Sequence, residues 1–331
     1  MDTDKVQMKT ALVLGAGGFI GSHMVKRLKS DGYWVRGVDL KYPEFEPTEA
    51  DDFVISDLRI RENVSLVMYQ IDKKGFDEVY QFACDMGGAG YVFTGVNDCE
   101  IMSSALINHH VAEYANKFSA GKLFYSSSAC IYPHELQNES SLDYSLKENC
   151  AYPANPDSEY GWEKLFSERL FLSYQRNYNL NVRIARFHNI YGEKGTYKGG
   201  KEKAPAAMCR KVIESSDSIE IWGTGEQTRS FLYINDCIDA VRLLMESDFK
   251  EPINIGSEEM VTINQLANLV IKFSGKAIDK KHISGPIGVM GRNSNNDLIR
   301  DKLNWHPKYS LSEGMENTYN WINNQINGVP S

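Results

Sequence analysis

A chain of 331 residues with 42% apolar composition is long enough to bury a full core, in one large or two smaller domains, and too apolar to stay disordered. Its net charge of −8 disfavours nucleic acid as a partner, so an anionic ligand would need a local basic pocket set against the overall field. No run approaches the roughly 18 apolar residues of a membrane span, and residues 1–10 lack the apolar centre of a secretion signal, which together predict a cytoplasmic protein without a membrane partner. Six cysteines, with no C-x-x-C pair and no histidine cluster at ligand spacing, argue against a disulfide scaffold or a metal site.

Residues 9–14 form an apolar run that ends in Gly15, Ala16, Gly17, Gly18, Phe19, Ile20 and Gly21 and passes into a helical pattern that stops at Asp31-Gly32. Strand, glycine loop and helix in this order let the backbone approach a pyrophosphate, which then rests on the amides and positive dipole end of the helix. A second strand over 33–38 delivers Asp39, about 20 residues beyond the glycines, where a carboxylate bonds ribose hydroxyls and favours NAD over NADP. A short strand at 53–55 precedes Asp57-Leu58, which either contact the cofactor's base or cap a helix over 59–70. A fourth strand at 79–83 leads into the glycine-rich loop 84–90, read either as a close approach to a ligand or as a mobile connection. With a helix over 101–116 and a strand over 122–126, the alternation predicts an α/β fold: a doubly wound, Rossmann-like parallel sheet with its ligand at the strand carboxyl ends.

The fifth strand delivers Ser126 to Cys130 to that edge. After a proline-rich loop, a helix from 159 carries Tyr160 and Lys164 four residues apart on one face, where the ammonium favours the phenolate. A sixth strand over 182–187 ends in Phe187, followed by His188, which suits a hydrogen-bonded structural role as well as any other, and Asn189. The polar segment 196–205 holds Lys198, Lys201 and Lys203 before a helix over 206–213 bearing Lys211. It is either a solvated basic loop or, with Lys211 and Arg229, the pocket a diphosphate demands. Strands over 219–223 and 227–234, a helix over 235–245, a strand within 252–257, a helix from 262, a glycine-bounded loop at 285–293 offering Arg292 to a phosphate, and helices over 298–303 and 311–325 complete the chain.

The glycine loop G-x-x-G-x-x-G, the serine after strand five and Y-x-x-x-K together resemble the extended short-chain dehydrogenases/reductases of the NAD-dependent epimerase/dehydratase family, which modify nucleotide sugars. The resemblance covers essentially the whole chain. It implies an NAD-binding Rossmann domain over 1–186 and a smaller α/β nucleotide-sugar-binding domain over 187–331, with some segments returning to pack on the first. NAD contacts are implied at Gly15, Gly18, Phe19, Ile20, Gly21, Asp39, Asp57, Leu58, Tyr160, Lys164 and Phe187. Tyr160 is then the base that takes a sugar hydroxyl proton, Lys164 lowers its pKa and binds the nicotinamide ribose, and Ser128 bonds the reacting oxygen. The resemblance also implies a homodimer built on the helices from 101 and 160.

A ketone at C4 acidifies the hydrogens on C3 and C5, so an acid and a base on opposite faces can invert both centres. Cys130 stands where the family's dehydratases carry a glutamate and can remove and return a proton; Lys203 is the matching amine. The stretches S-S-A-C-I-Y-P, D-M-G-G-x-G, R-F-H-N-I-Y-G, K-E-K-A-P-A-A and G-R-N-S narrow the resemblance to the branch that inverts C3 and C5 of GDP-mannose. That implies conversion of GDP-D-mannose to GDP-L-galactose through transient oxidation at C4, with Cys130 and Lys203 as the acid/base pair. Around the substrate it sets Gly87, Ser128, Ala129, Cys130, Asn189, Glu202, Lys203, Ala204, Lys211, Gln227, Thr228, Arg229 and Arg292. Ser103-Ser104 depart from the family's asparagines near the cofactor. The competing expectations are a 4-epimerase or 4,6-dehydratase of another nucleotide sugar, a 3,5-epimerase of a modified GDP-manno sugar such as a heptose, and a noncatalytic NAD-binding sensor or scaffold.

Overall fold

The computed structural model describes residues 8–70, 75–138 and 145–328, so most of the polar opening stretch 1–10 lies outside the described residues. Six strands follow in chain order: β1 (Thr10–Leu14), β2 (Trp34–Asp39), β3 (Asp52–Ile55), β4 (Glu78–Gln81), β5 (Lys122–Ser128) and β6 (Val182–Phe187). With the short strand Ile253–Ile255 at one edge they form a seven-stranded parallel sheet in the order Ile253–Ile255, β6, β5, β4, β1, β2, β3. Strands of a parallel sheet flanked by helices are covered on both faces, which is why β1 and β6 are buried at every position; β1 reads as an apolar run after Thr10, whereas β6 carries Arg183 and Arg186 among its apolar residues. The strand order reverses between β1 and β4, and the carboxyl ends beside such a reversal are where doubly wound sheets bind ligands.

The chain falls into two compact units that interleave along the sequence. The first is built from the chain up to Cys84, Ser103–Ser126 and Phe166–Ile184; the second from Asp85–Met102, Ser127–Leu165 and the chain from Ala185 onward. The core of the first unit gathers Leu12, Leu14, Val38, Val64, Val111, Leu123, Tyr125, Phe171 and Val182, contributed by β1, β2, β5, β6 and the helices between them. A smaller core in the second unit packs Ile131, Tyr132, Leu146, Ala151 and Leu165.

Three elements depart from the expected outline. The helix expected over 101–116 is two, Asp98–Met102 and Ser104–Lys117, interrupted at Ser103. The strand expected over 227–234 is broken at Phe231 because its halves take different partners. Thr228–Ser230 pairs with Met260–Thr262 and Gly291–Arg292, whereas Leu232–Tyr233 pairs with Ile190–Tyr191. The polar stretch Asp279–Ile283, which shows no apolar alternation, is a strand pairing in parallel with Ser218–Trp222. Among the described residues no helix is long and apolar enough to cross a membrane, and no group of three or more His, Cys, Asp or Glu is gathered to hold a metal ion.

Candidate active site

In the first unit the turn after β1 is closed to any side chain. Gly15 has φ +88°, and a Cβ on it would lie 2.8 Å from Ala83 N. A Cβ on Gly21 would lie 2.0 Å from Gly15 O, and one on Gly17 would lie 2.1 Å from Lys41 O. The helix Phe19–Ser30 therefore starts flush against the loop, and its N-cap, Gly18, supplies no side-chain acceptor to the first amides. That end suits an anion. Asp39, at the end of β2, accepts from Gly17 N at 2.9 Å and from Leu40 N at 2.7 Å. Burial raises its carboxyl above the usual range, and these backbone donors oppose the rise. A bare glycine cradle with a carboxylate at the neighbouring strand end fits a dinucleotide whose ribose hydroxyls reach that acid.

Phe19 and Ile20 are half-buried at the start of the helix. At Asp57-Leu58 the aspartate makes a local contact, and the helix that follows has Ile60, not Asp57, at its N-cap. Asp57 accepts from Arg59 N at 2.9 Å and pairs with the Arg59 guanidinium at 2.7 Å, whose hydrogen bonding holds the carboxyl below its usual range. It thus closes the turn before the helix Arg61–Met68, and Leu58 is buried in the core. Ser103 takes the N-cap position of Ser104–Lys117, and Ser104 is buried.

In the second unit the chain leaves β5 through Ser128 into a single 3-10 turn, Ala129–Ile131. Ser128 Oγ caps it by accepting from Cys130 N at 3.2 Å. Ala129 and Ile131 are buried, which leaves Cys130 half-buried between them. Arg292 donates to Cys130 Sγ at 3.0 Å. The same guanidinium donates through Nε to Gln137 Oε1 at 2.6 Å and is ion-paired with Asp157, whose side chain is 1% exposed against 7% for Arg292. Burial works against the charge on Arg292, but Cys130 and Asp157 outweigh it and raise its pKa. Arg292, expected on a phosphate, here holds the cysteine sulfur and the Asp157 carboxylate. Cys209 and Cys237, by contrast, are buried thiols pushed up by desolvation.

The helix Glu159–Tyr178 sits against this turn at Gly161, where a Cβ would lie 2.2 Å from Cys130 O and 2.8 Å from Pro156 Cβ. One residue to either side of that contact the helix presents Tyr160 and Trp162, and a turn on, Lys164. Tyr160 and Lys164 are both buried, with Lys164 Nζ 5.6 Å from the centre of the Tyr160 ring. The cation therefore lies over the ring at cation–π distance.

Beyond β6, whose last residue Phe187 is buried, His188 is wholly buried with Nε2 3.1 Å from Asn254 Oδ1. Asn254 spends its Nδ2 on Leu146 O and Asn295 O, so its Oδ1 is the acceptor and His188 is the Nε2–H tautomer. Its Nδ1 is buried without a partner, and burial pushes its pKa down to about 3. It is a neutral structural histidine. Asn189 adopts φ +45° and donates to Ser230 O at 2.9 Å, bracketing the strand break at Phe231.

The basic residues divide. Arg229 forms no ion pair among the described residues: its guanidinium donates only to carbonyls, Thr228 O at 2.7 Å, Ile287 O at 3.2 Å and Val289 O at 2.5 Å. Burial, with the Arg292 charge nearby, lowers its pKa to about 9, and the Asp157 and Cys130 charges oppose the fall. Lys211 donates to Glu220 O at 2.7 Å, and Glu202 pairs with Arg210 at 3.2 Å and accepts from Gly200 N at 2.6 Å, so both are engaged within the protein. Lys203 is the N-cap of the helix Ala204–Glu214. Thr228 is buried with Oγ1 unpartnered, Gln227 donates to Trp222 O, and a Cβ on Gly87 would lie 2.6 Å from Tyr91 Cβ. Asp157 and Gln137 have no signal in the sequence, since they lie 135 and 155 residues from the arginine they hold.

Sheet order, glycine cradle and the Tyr160/Lys164 helix define the class: the chain belongs to the NAD dependent epimerase/dehydratase family, whose profile matches residues 11–256. Within it, the chain is similar to GDP-mannose 3,5-epimerase of Arabidopsis thaliana, 47% identical over 317 residues, which is 95% of this chain and 82% of that protein. It is 45% identical, with the same coverage, to GDP-mannose 3,5-epimerase 1 of Oryza sativa subsp. japonica. Among solved structures it is similar to UDP-glucuronic acid 4-epimerase from Bacillus cereus in complex with UDP-glucuronic acid and NAD. The TM-score is 0.80 at 25% identity, covering 96% of this chain and 99% of that one. UDP-glucose 4-epimerase from Thermotoga maritima matches with a TM-score of 0.84 at 24% identity and the same coverage, a likeness of fold.

Proposed function

We propose that the chain inverts C3 and C5 of GDP-D-mannose to give GDP-L-galactose, oxidising C4 transiently with NAD. The observation that carries this is Cys130. A thiol fixed by the Arg292 guanidinium at 3.0 Å, in a turn capped by Ser128, is a positioned proton-transfer group, in a chain 47% identical to a GDP-mannose 3,5-epimerase.

NAD, when bound, would supply the hydride acceptor at C4 and the donor that restores the alcohol. Gly15, Gly18, Phe19, Ile20 and Gly21 would carry its pyrophosphate and Asp39 its adenosine ribose, with Asp57, Leu58 and Phe187 completing the cofactor set. Tyr160 takes the proton of the C4 hydroxyl, Lys164 stabilises the phenolate and reaches the nicotinamide ribose, and Ser128 bonds the reacting oxygen. With C4 a ketone, Cys130 and Lys203 remove and return protons at C5 and C3. Arg229, its guanidinium resting only on carbonyls, meets the diphosphate with Lys211, Gln227 and Thr228 beside it. Gly87, Ala129, Asn189, Ala204, Glu202 and Arg292 bound the substrate, Glu202 held by Arg210 and Arg292 by Asp157 and Gln137.

We also place the protein in the cytoplasm as a homodimer; Leu106, Trp162 and Phe166, exposed by 51%, 41% and 55%, are apolar side chains on the two helices a partner would cover. A monomeric mass in solution contradicts that part. The reaction itself is tested by NMR of the product formed from GDP-mannose and NAD in deuterated water. Deuterium at both C3 and C5 with formation of GDP-L-galactose is expected, whereas exchange at neither carbon, inversion at C4 alone or loss of water refutes it.

A further inference from the structure

The two loops that meet at residues 201–203 are joined by a clasp of three side chains. Lys201 Nζ is 2.6 Å from Asp85 Oδ1 and lies 4.2 Å from the centre of the Tyr91 ring. The Tyr91 hydroxyl donates to the other carboxylate oxygen, Asp85 Oδ2, at 2.6 Å. Carboxylate, phenol and ammonium thus close on one another, each touching the other two.

The clasp is reinforced along the backbone. Gly88 N donates to Lys201 O at 3.1 Å, and a Cβ on Gly88 would lie 2.2 Å from Glu202 O and 3.5 Å from Lys203 Cα. Only a glycine lets the loop 85–88 come this close. On the following residue, Glu202 is tied to Arg210 and Gly200, and Lys203 O accepts from Ala207 N at 2.9 Å in the first turn of Ala204–Glu214. The backbone of Lys203 is therefore pinned from the glycine loop before it and from the helix after it.

We propose that Asp85, Tyr91 and Lys201 are positioning residues that fix the amine of Lys203 for proton transfer. This rests on the functional reading above. A lysine amine sits at the end of a flexible four-carbon stem, so the point from which that stem starts bounds where its nitrogen can reach. The loops that carry Lys203 hold no regular structure before Ala204, and a misplacement of about 1 Å costs on the order of 100-fold in rate.

The test follows exchange at C3 and at C5 separately, by NMR in deuterated water with GDP-mannose and NAD, beside steady-state rates. Asp85→Ala is expected to lower kcat by on the order of 100-fold with KM held within about twofold. Its lost exchange should fall on the same carbon that Lys203→Ala silences. Lys201→Arg, which keeps a cation for the ring and the carboxylate, should restore most of the rate that Lys201→Ala loses. Tyr91→Phe, which leaves the ring in place and removes one hydrogen bond, gives a milder loss at that carbon and serves if Asp85→Ala does not fold. Wild-type exchange at both carbons in the Asp85 and Tyr91 variants, or an equal loss at both, overturns the clasp alone. Absence of exchange in the unaltered protein overturns the functional reading and the clasp with it.

Discussion

His188 should give the protein a measurable dependence on acid. Its ring is wholly buried as the Nε2–H tautomer, and a second proton would have to enter at Nδ1, where no acceptor waits. Burial chiefly, and the Arg292 and Arg186 charges after it, lower the pKa from 6.5 to about 3. The folded value lies below the unfolded one, so between pH 3 and 6.5 the unfolded chain binds more protons and stability rises with pH. The contribution is intact above pH 6.5 and is lost on acidification: about 2 kcal/mol by pH 5 and about 4 kcal/mol by pH 3, because each tenfold difference in proton affinity is worth about 1.4 kcal/mol and the folded ring is itself half protonated at pH 3. Denaturant unfolding of the wild type and of His188→Gln at pH 8, 6 and 5 isolates it, because every other titrating group is common to both. The wild type should lose about 2 kcal/mol relative to the variant between pH 8 and pH 5. Parallel stability curves for the two proteins would refute a neutral, poorly protonated histidine at this position.

Arg292→Met strands the Asp157 carboxylate, 1% exposed, without its partner, so denaturant unfolding should show a loss of about 3–5 kcal/mol, of which adding Asp157→Asn recovers a part. A loss below about 1 kcal/mol in the single variant would contradict a buried pair. Gly21→Ala places a methyl 2.0 Å from Gly15 O, a backbone atom that cannot swing away, and calorimetric titration should show NAD affinity weakened by at least about tenfold, or about 1.4 kcal/mol. Unchanged affinity would remove the cradle from the cofactor site.

How much of this was legible before the structure depends on range. β6 coincides with the expected 182–187 although it carries Arg183 and Arg186, and β1 lies within the apolar run ahead of the glycines, because strands covered on both faces are written as largely apolar stretches. The cradle is equally local: Gly15, Gly18 and Gly21 belong to one turn. Arg292 was visible as a cation, but not as the partner of a thiol 162 residues away, since a guanidinium's acceptor is chosen by topology and not by spacing. Glu202 and Arg210 are eight residues apart, which is no helical pairing distance, and the polar edge strand Asp279–Ile283 carries no apolar period at all. The break at Phe231 was hidden for the same reason: a change of strand partner leaves no mark on the residues that change.

Gly161 ties two pieces of chemistry to one ruler. The helix that bears the phenol and the turn that bears the thiol touch backbone to backbone, with no side chain between them whose rotamer could take up slack. Their separation is therefore a fixed dimension of the protein, and neither partner can be re-aimed by substitutions on the other. Anyone grafting this reaction onto a related scaffold would have to move 128–131 and 156–164 together, as a single casting. On the roles proposed above, changing the outcome at one sugar carbon while sparing oxidation is then a matter of the loops around Lys203, which do not bear on that ruler.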